Sequence, residues 1–503
     1  MIFLCVVVIV LSWLCVFRFK RRRMYELASR IPAPKELPVI GIAHKLAGNT
    51  EDIMVALQDL SYESMKNNGM VRAWLCHILY FVALDPVDIA VILKSCLEKD
   101  DLHRFIRNVI GYGGIFAPVS IWRRRRKIMV PAFSPKIVES FVDVFSEQSE
   151  KLVGLMGTHD KGEKFSAWPY LSSYTLDSVC ETAMGVKINS QGNPDTPFLK
   201  SMGKILNLVC MRIFHLWFQP DWLFKLFPQY KEHQENIEVM HSFTNKVKTK
   251  GQNLNQKSEN KAKVTYMVSS KPTFITFLEL LIALSGHEQG YTNVELREEI
   301  MTLTVAGTDT SAVCIGYTLR LLAMYPEIQD KVYEELLDVF GKSNRAFVKE
   351  DLSKLCYLER VIKESLRLFP PVPFIIRKVL EEITLPSGRV LPAGSGVVVS
   401  IWGIHRDPKY WGPDAEKFDP DRFLPERFKL ANTCSFMPFS SGPRNCLGYQ
   451  YAFMSIKTAI SALLRRYRVV SEPELSEKPR IRVKIDIMMK DVDGYQVALQ
   501  RRP

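Results

Sequence analysis

Phe439-Ser440-Ser441-Gly442-Pro443-Arg444-Asn445-Cys446-Leu447-Gly448 decides how the rest of this chain is read. One cysteine stands in a glycine-punctuated loop, ahead of an apolar run, residues 449–464, that reads as a helix. Gly442 and Gly448 allow tight turns and close approach of the backbone to a flat ligand. Arg444 offers a fork of donors to a carboxylate. Backbone N–H groups and the helix dipole near Cys446 favour a thiolate over a thiol. The loop therefore reads as a site that holds a metal through a single sulfur. The other nine cysteines have no paired spacing and read as small hydrophobes, with neither a disulfide framework nor a zinc site.

The spacing of Phe439, Gly442, Arg444, Cys446 and Gly448 resembles the haem-binding signature of the cytochrome P450 superfamily. The resemblance implies the fold of that family, mainly α with small β-sheets. It also implies haem b held without covalent attachment apart from the Cys446 axial thiolate. A thiolate-ligated haem iron favours O–O bond cleavage.

A second stretch agrees with the first. Ala306-Gly307-Thr308-Asp309-Thr310 lies inside a long apolar segment, where glycine and threonine are poor helix formers. It resembles the oxygen-activation motif of the superfamily, with Gly307 leaving room for dioxygen. Asp309 and Thr310 form its acid–alcohol pair, and proton delivery to bound oxygen is general acid work. Trp122 and Arg126 match the Trp-x-x-x-Arg pattern whose members meet a haem propionate. Arg377 follows Pro371-Val372-Pro373 as a further propionate partner, with Arg444 completing the set. Glu364 and Arg367 fall on one helical face. With Arg422 they resemble the family's structural Glu-x-x-Arg triad, and His405-Arg406-Asp407 is a further structural feature. Residues 175–177 (Thr-Leu-Asp), 180–185 (Cys-Glu-Thr-Ala-Met-Gly) and 297–299 (Arg-Glu-Glu) are closest to the family 4 clan, in an insect-like form. That clan often carries a glutamate where this chain has Ala306, so a covalent haem link is not expected here.

The 503 residues, 47% hydrophobic, suffice for a large core. Residues 1–17 are uncharged and almost wholly apolar, and Arg18, Lys20, Arg21, Arg22 and Arg23 follow. This order is opposite to that of a secretory signal. The expected organisation is a transmembrane anchor at 1–17, a basic and proline-rich linker at 18–38 and a catalytic domain at 39–503. The basic flank is expected on the cytosolic face, and the proline-rich stretch resembles the hinge of microsomal P450s, which implies the endoplasmic reticulum membrane with the domain facing the cytosol. A net charge of +13 without a nucleic-acid motif fits an anionic membrane surface and an acidic electron donor.

Helical periodicity is expected over 138–156, 170–184, 230–250, 296–324, 327–340 and 355–368. Strands are expected within 71–84 as a hairpin, over 390–400, and over 481–490 and 495–499 as a hairpin turning at Asp493-Gly494. Residues 251–270 read as an exposed loop. Gly111 with Gly113-Gly114 is too short a glycine cluster for a dinucleotide, and no phosphate-binding loop occurs, so electrons must come from a partner. The resemblance names NADPH–cytochrome P450 reductase, with cytochrome b5 as a second candidate. Apolar stretches at 105–116, 211–222, 301–306 and 372–376 and the tip near Val492 are expected to line a pocket for a lipophilic substrate. The favoured reading is a monooxygenase. A reductase-independent peroxide isomerase on the same fold and a haem-binding sensor stand as alternatives.

Overall fold

A computed structural model describes residues 2–193, 196–265, 276–279, 281, 291–429, 432–471 and 478–502. Its organising element is the helix Asn293–Met324, apolar on nearly every side because helices surround it. It starts at a reciprocal cap. The Thr292 hydroxyl accepts from the Glu295 N–H at 3.2 Å, and the Glu295 carboxylate accepts from the Thr292 N–H at 2.8 Å. The buried helices Trp168–Met184, Cys356–Leu368 and Tyr449–Leu464 pack around it.

β-Branched and aromatic residues form the hairpin Met70–Leu75 and Ile78–Ala83. Its second strand runs parallel to Gly396–Ser400, which pairs antiparallel with Phe374–Lys378. The four strands carry residues from the N-terminal and C-terminal halves into one sheet. A second sheet joins Phe165–Ser166, Gln496–Arg501 and Tyr467–Val470. All ten cysteines are free thiols.

Several expected elements are redrawn. Residues 138–156 divide between the helices Pro135–Glu139 and Val142–Met156, where Ser140 Oγ donates back to the Ile137 carbonyl. The expected strand 390–400 is two, because Pro392 and Gly394, at φ +83°, break it between Val390–Leu391 and Gly396–Ser400. Asp493-Gly494 does not close a hairpin. Val483–Asp486 pairs instead with Met488–Asp491 across Ile487, and Gln496–Arg501 belongs to the other sheet. Residues 251–265 continue the helix Pro228–Thr265 rather than forming a loop. Lys, Gln, Glu and Ala there are good helix formers that sustain propagation, so a polar composition did not mean irregular backbone. Residues 266–270 lie outside the described residues.

Within the expected linker, Arg22–Ser29 is a helix whose Met24, Leu27 and Ala28 are buried. Beyond it the chain docks on the first sheet. The Glu36 carboxylate accepts from Arg72 Nη1 and from the Trp74 N–H, both at 2.8 Å. The first residues form the helix Ile2–Lys20, and among the described residues no helix is long and apolar enough to cross a membrane.

The Glu364–Arg367 pair lies on the helix Cys356–Leu368, fully buried. Arg367 donates through Nε and Nη2 to the two Glu364 oxygens at 2.7 and 2.8 Å, and through Nη1 to the carbonyls of His405 and Ala415 at 2.7 and 2.5 Å. Arg422 Nε lies 3.5 Å from Glu364 Oε1, which also accepts the Asp419 N–H at 2.9 Å. Removing the carboxylate charge strands two buried guanidiniums. Glu364→Gln is expected to cost about 3–5 kcal/mol, read as a lower denaturation midpoint; an unchanged midpoint would contradict the assignment.

Candidate functional site

The loop ahead of the helix Tyr449–Leu464 is held at both ends. Its backbone closes through Cys446 N–H to the Phe439 carbonyl at 2.9 Å and Asn445 N–H to the Gly442 carbonyl at 3.1 Å. Gly442 has φ +74°, and a Cβ there would stand 2.9 Å from the Leu93 carbonyl oxygen, so only glycine fits. Gly448, at φ −89°, is not required by its turn, and a Cβ there would make only an ordinary contact, 3.6 Å from Phe133. Upstream, His405 Nε2 accepts the Met437 N–H at 3.0 Å. Burial lowers the His405 pKa to about 3, which keeps that nitrogen an acceptor. The loop is thus tied to the segment that Arg367 also holds.

Cys446 opens onto a cavity of about 470 Å³. The side chain is accessible from that cavity, yet it lies deep in the fold, and burial pushes the thiol pKa up. The Gly448 N–H and Arg126 act in the opposite direction. The thiolate preference expected at a helix N-terminus is therefore outweighed by desolvation, and a cation beside the sulfur would supply the missing stabilisation.

Ala306, Gly307 and Thr310 line the same cavity from the central helix. Thr310 Oγ1 donates to the Ala306 carbonyl at 2.6 Å. Gly307, besides lining the cavity, has a packing reason that its local sequence does not show. A Cβ there would stand 2.7 Å from Val179 Cγ2, so the glycine lets two helices close on each other. Asp309 does not join Thr310 at the cavity wall. Its fully buried carboxylate accepts from Lys490 Nζ at 2.8 Å through Oδ1, while Oδ2 has no partner among the described residues. Burial raises the Asp309 pKa and Lys490 pulls it back. Lys490 comes from the strand Met488–Asp491, and nothing in the local sequence links it to Asp309.

Five basic side chains gather at the other wall. Arg126 donates to the Asn445 carbonyl and side-chain oxygen, both at 2.6 Å, so it braces the cysteine loop. The Arg444 guanidinium lies 4.5 Å from the Trp122 ring centroid and donates to the Ala117 carbonyl at 2.8 Å. Arg377 lines the cavity from the strand Phe374–Lys378. Lys99, absent from the sequence expectations, is a fourth cation on this wall, and His103 lies beside it. Lys99 sits in the charged run Glu98-Lys99-Asp100-Asp101, which reads as surface.

Burial lowers the pKa of Arg377 and Arg444 to about 10 each. Lys99 is driven well down by burial and by those two guanidiniums. Among the described residues, Lys99, Arg377 and Arg444 form no ion pair, and the Nε atoms of both arginines lack a partner. Buried cations facing one space without a carboxylate call for an anionic ligand. A flat ring with two carboxylates, its metal taken by Cys446, fits this donor set. Among the expected lining stretches, 105–116, 211–222, 301–306 and 372–376 each contribute side chains; Val492 does not, and Ile485, Ile487 and Met488 take its place.

The cytochrome P450 family model matches residues 31–497. Cytochrome P450 4c3 of Drosophila melanogaster is 32% identical across 98% of this chain and 93% of its own. Cytochrome P450 4V2 of Homo sapiens is 32% identical across 96% and 93%. Cytochrome P450 4d2 of Drosophila melanogaster is 31% identical across 94% of each chain. The cofactor of this family, haem b on a cysteine thiolate, is a ring of the kind the cation cluster and Cys446 fit.

Gly307→Ala is expected to cost about 1–3 kcal/mol through overpacking against Val179. Val179→Ala in the same chain should recover most of it in a thermal melt. A loss untouched by the second change would show that the glycine serves something other than helix contact.

Proposed function

The chain belongs to the cytochrome P450 family, and we propose that it is a membrane-attached monooxygenase that hydroxylates a lipophilic substrate with electrons from NADPH delivered by an external reductase. The observation that carries this reading is that Cys446 and Thr310, from distant parts of the chain, face one apolar cavity. Ile106, Ile110, Phe116, Leu206, Phe214 and Ile487 wall it and offer no charge to a substrate. Binding there is driven by apolar burial.

Haem, when bound, supplies dioxygen activation at an iron ligated by a thiolate. The protein's part is to bind, orient and deliver protons. Lys99, Arg377 and Arg444 would hold the propionates, while Arg126 braces the cysteine loop and Trp122 stacks on Arg444. Phe439, which opens the sulfur loop, packs against the rings of Tyr449 and Phe453. Thr310 lines the cavity while its hydroxyl proton is engaged by the Ala306 carbonyl, which leaves the oxygen as an acceptor. Asp309 holds the proton reserve one residue away, and Lys490 fixes its position. Ala306 provides no carboxylate for an ester to the ring, in keeping with non-covalent haem.

Electrons come from outside, because the chain has no nucleotide-binding loop in its sequence. NADPH–cytochrome P450 reductase is the proposed donor, with cytochrome b5 as a second. The apolar run at 1–17 and its basic flank support attachment to the endoplasmic reticulum membrane with the domain in the cytosol. Exposed Trp217, Trp222 and Leu226, and exposed Leu37, Val39 and Ile40, support contact with lipid. His215 Nε2 bonds the Gly48 carbonyl at 3.0 Å and brings these two regions together.

With reductase and a lipophilic substrate, wild-type protein is expected to oxidise NADPH and form a hydroxylated product. Cys446→Ser should lose the red-shifted band of the reduced carbon monoxide complex. Thr310→Ala should keep oxidising NADPH with little product, and Asp309→Asn should slow product formation about 100-fold. Product formation from a hydroperoxide without reductase, and none with NADPH, would replace this reading with the isomerase. Membrane attachment is checked separately: the full chain should stay in the membrane fraction after alkaline carbonate washing, and release into the supernatant would refute an integral anchor.

A further inference from the structure

The glycine cluster at 111–114, unexplained by any nucleotide, has a clear structural setting. Gly111 has φ +65°, and a Cβ there would collide with the Glu298 carboxylate. One at Gly113 would collide with the Thr302 hydroxyl and lie 2.8 Å from the Glu298 carbonyl oxygen. One at Gly114 would lie 3.3 Å from Glu299 Oε2. The strap lies flush on the central helix because it has almost no side chains. It leads directly into Ile115 and Phe116, which line the cavity with Gly114 and Thr302.

Two buried side chains hold it there. Glu299 Oε2 accepts the Gly114 N–H at 3.0 Å. Arg125, on the helix Val119–Met129, donates to Glu299 Oε1 at 3.3 Å, to Glu298 Oε2 at 2.8 Å and to the Tyr112 carbonyl. Glu299 is fully buried and Arg125 is 2% exposed. A glycine strap released from such contacts regains more backbone freedom than any other sequence. The clasp is what opposes that freedom.

We propose that Glu299 and Arg125 are positioning residues that clasp the Gly111–Gly114 strap against the central helix and, through Ile115 and Phe116, control entry to the cavity and the hold on substrate. This deepens the monooxygenase reading and rests on it for its kinetic consequences, though the motion of the strap can be measured without turnover.

The clasp responds to pH in a defined direction. Burial raises the Glu299 pKa to about 7, against the pull of the Gly114 N–H and Arg125. Facing it are Arg125 from the neighbouring helix, Glu298 and Glu295 on its own helix, and Tyr291 ahead of that helix. Arg124 pairs with Glu295. Lifting the strap admits water and returns the carboxyl toward its ordinary range, so the closed form binds the proton more tightly than the open one. By linkage, the strap closes as pH falls through 7 and loosens as pH rises through it.

Hydrogen exchange of residues 111–116 in haem-loaded protein tests this, expressed as protection factors at pH 6 and pH 8. Wild type should be more protected at pH 6. Glu299→Gln keeps an acceptor for Gly114 without the charge and should be protected equally at both. Glu299→Ala should exchange about tenfold faster at both, with the carbon monoxide band retained. In turnover, Glu299→Ala should change KM for bulky substrates more than kcat, and Glu299→Gln should abolish the pH dependence of KM between 6 and 8. Wild-type protection in a haem-loaded Glu299→Ala protein, or a pH response in Glu299→Gln equal to that of wild type, would overturn the proposal. Exchange changes as expected without NADPH-dependent turnover would retain the clasp and reject the monooxygenase.

Discussion

The bidentate pairing of Arg367 with Glu364 is the constraint from which the site is built. A guanidinium sealed in an apolar helix must satisfy all its donors, and this one reaches the carbonyls of His405, Ala415 and Lys417 as well as its carboxylate. Those carbonyls belong to the long irregular stretch between the first sheet and the cysteine loop, which has little regular structure of its own to hold it. His405 passes the constraint on by accepting the Met437 N–H. Two residues later the loop that carries Cys446 begins. The pair contributes geometry more than net stability, since a buried ion pair roughly repays its own desolvation.

The opposite wall works by imbalance. Lys99, Arg377 and Arg444 face one space that no carboxylate lines among the described residues, Glu98 acting on Arg444 from outside it. An apolar fold would not hold three such cations together without something to neutralise them: burial first, and then the two neighbouring guanidiniums, drive the pKa of Lys99 down. An anionic ring relieves it. The cluster therefore selects for charge, while the sulfur on the other side of the cavity selects for the metal. Arg126 and Asn445 couple the two selections, since the same contact orients the sulfur loop and faces the cation wall.

What the sequence made legible was local. The cysteine loop, the central helix and the Glu364–Arg367 spacing each lie within one consecutive stretch, where periodicity and turn chemistry speak directly. What it hid was long-range. Lys490 meets Asp309 from 181 residues away, so no spacing rule could join them, and the neighbouring Thr310 suggested a shared orientation that the helix does not give. Lys99 was masked by charged neighbours that look like surface. Gly307 sat in a functional motif, and its packing constraint, Val179, lies on another helix. The strand errors share one cause: Ile481–Lys490 and Gln496–Arg501 have the right composition, and only the surrounding sheets decide which partner each takes.

The distance between Asp309 and Lys490 also has a consequence in time. During synthesis at about 5–20 residues per second, the acid is made roughly 10–35 s before the lysine that pairs with it. Throughout that interval the central helix can assemble its apolar neighbours, but its one fully buried aspartate has no partner charge. The nascent chain therefore cannot settle its core early without enclosing an unpaired carboxyl, and the last step of burial waits for the second-to-last strand. The order of manufacture thus keeps the middle of the molecule provisional until its end is made.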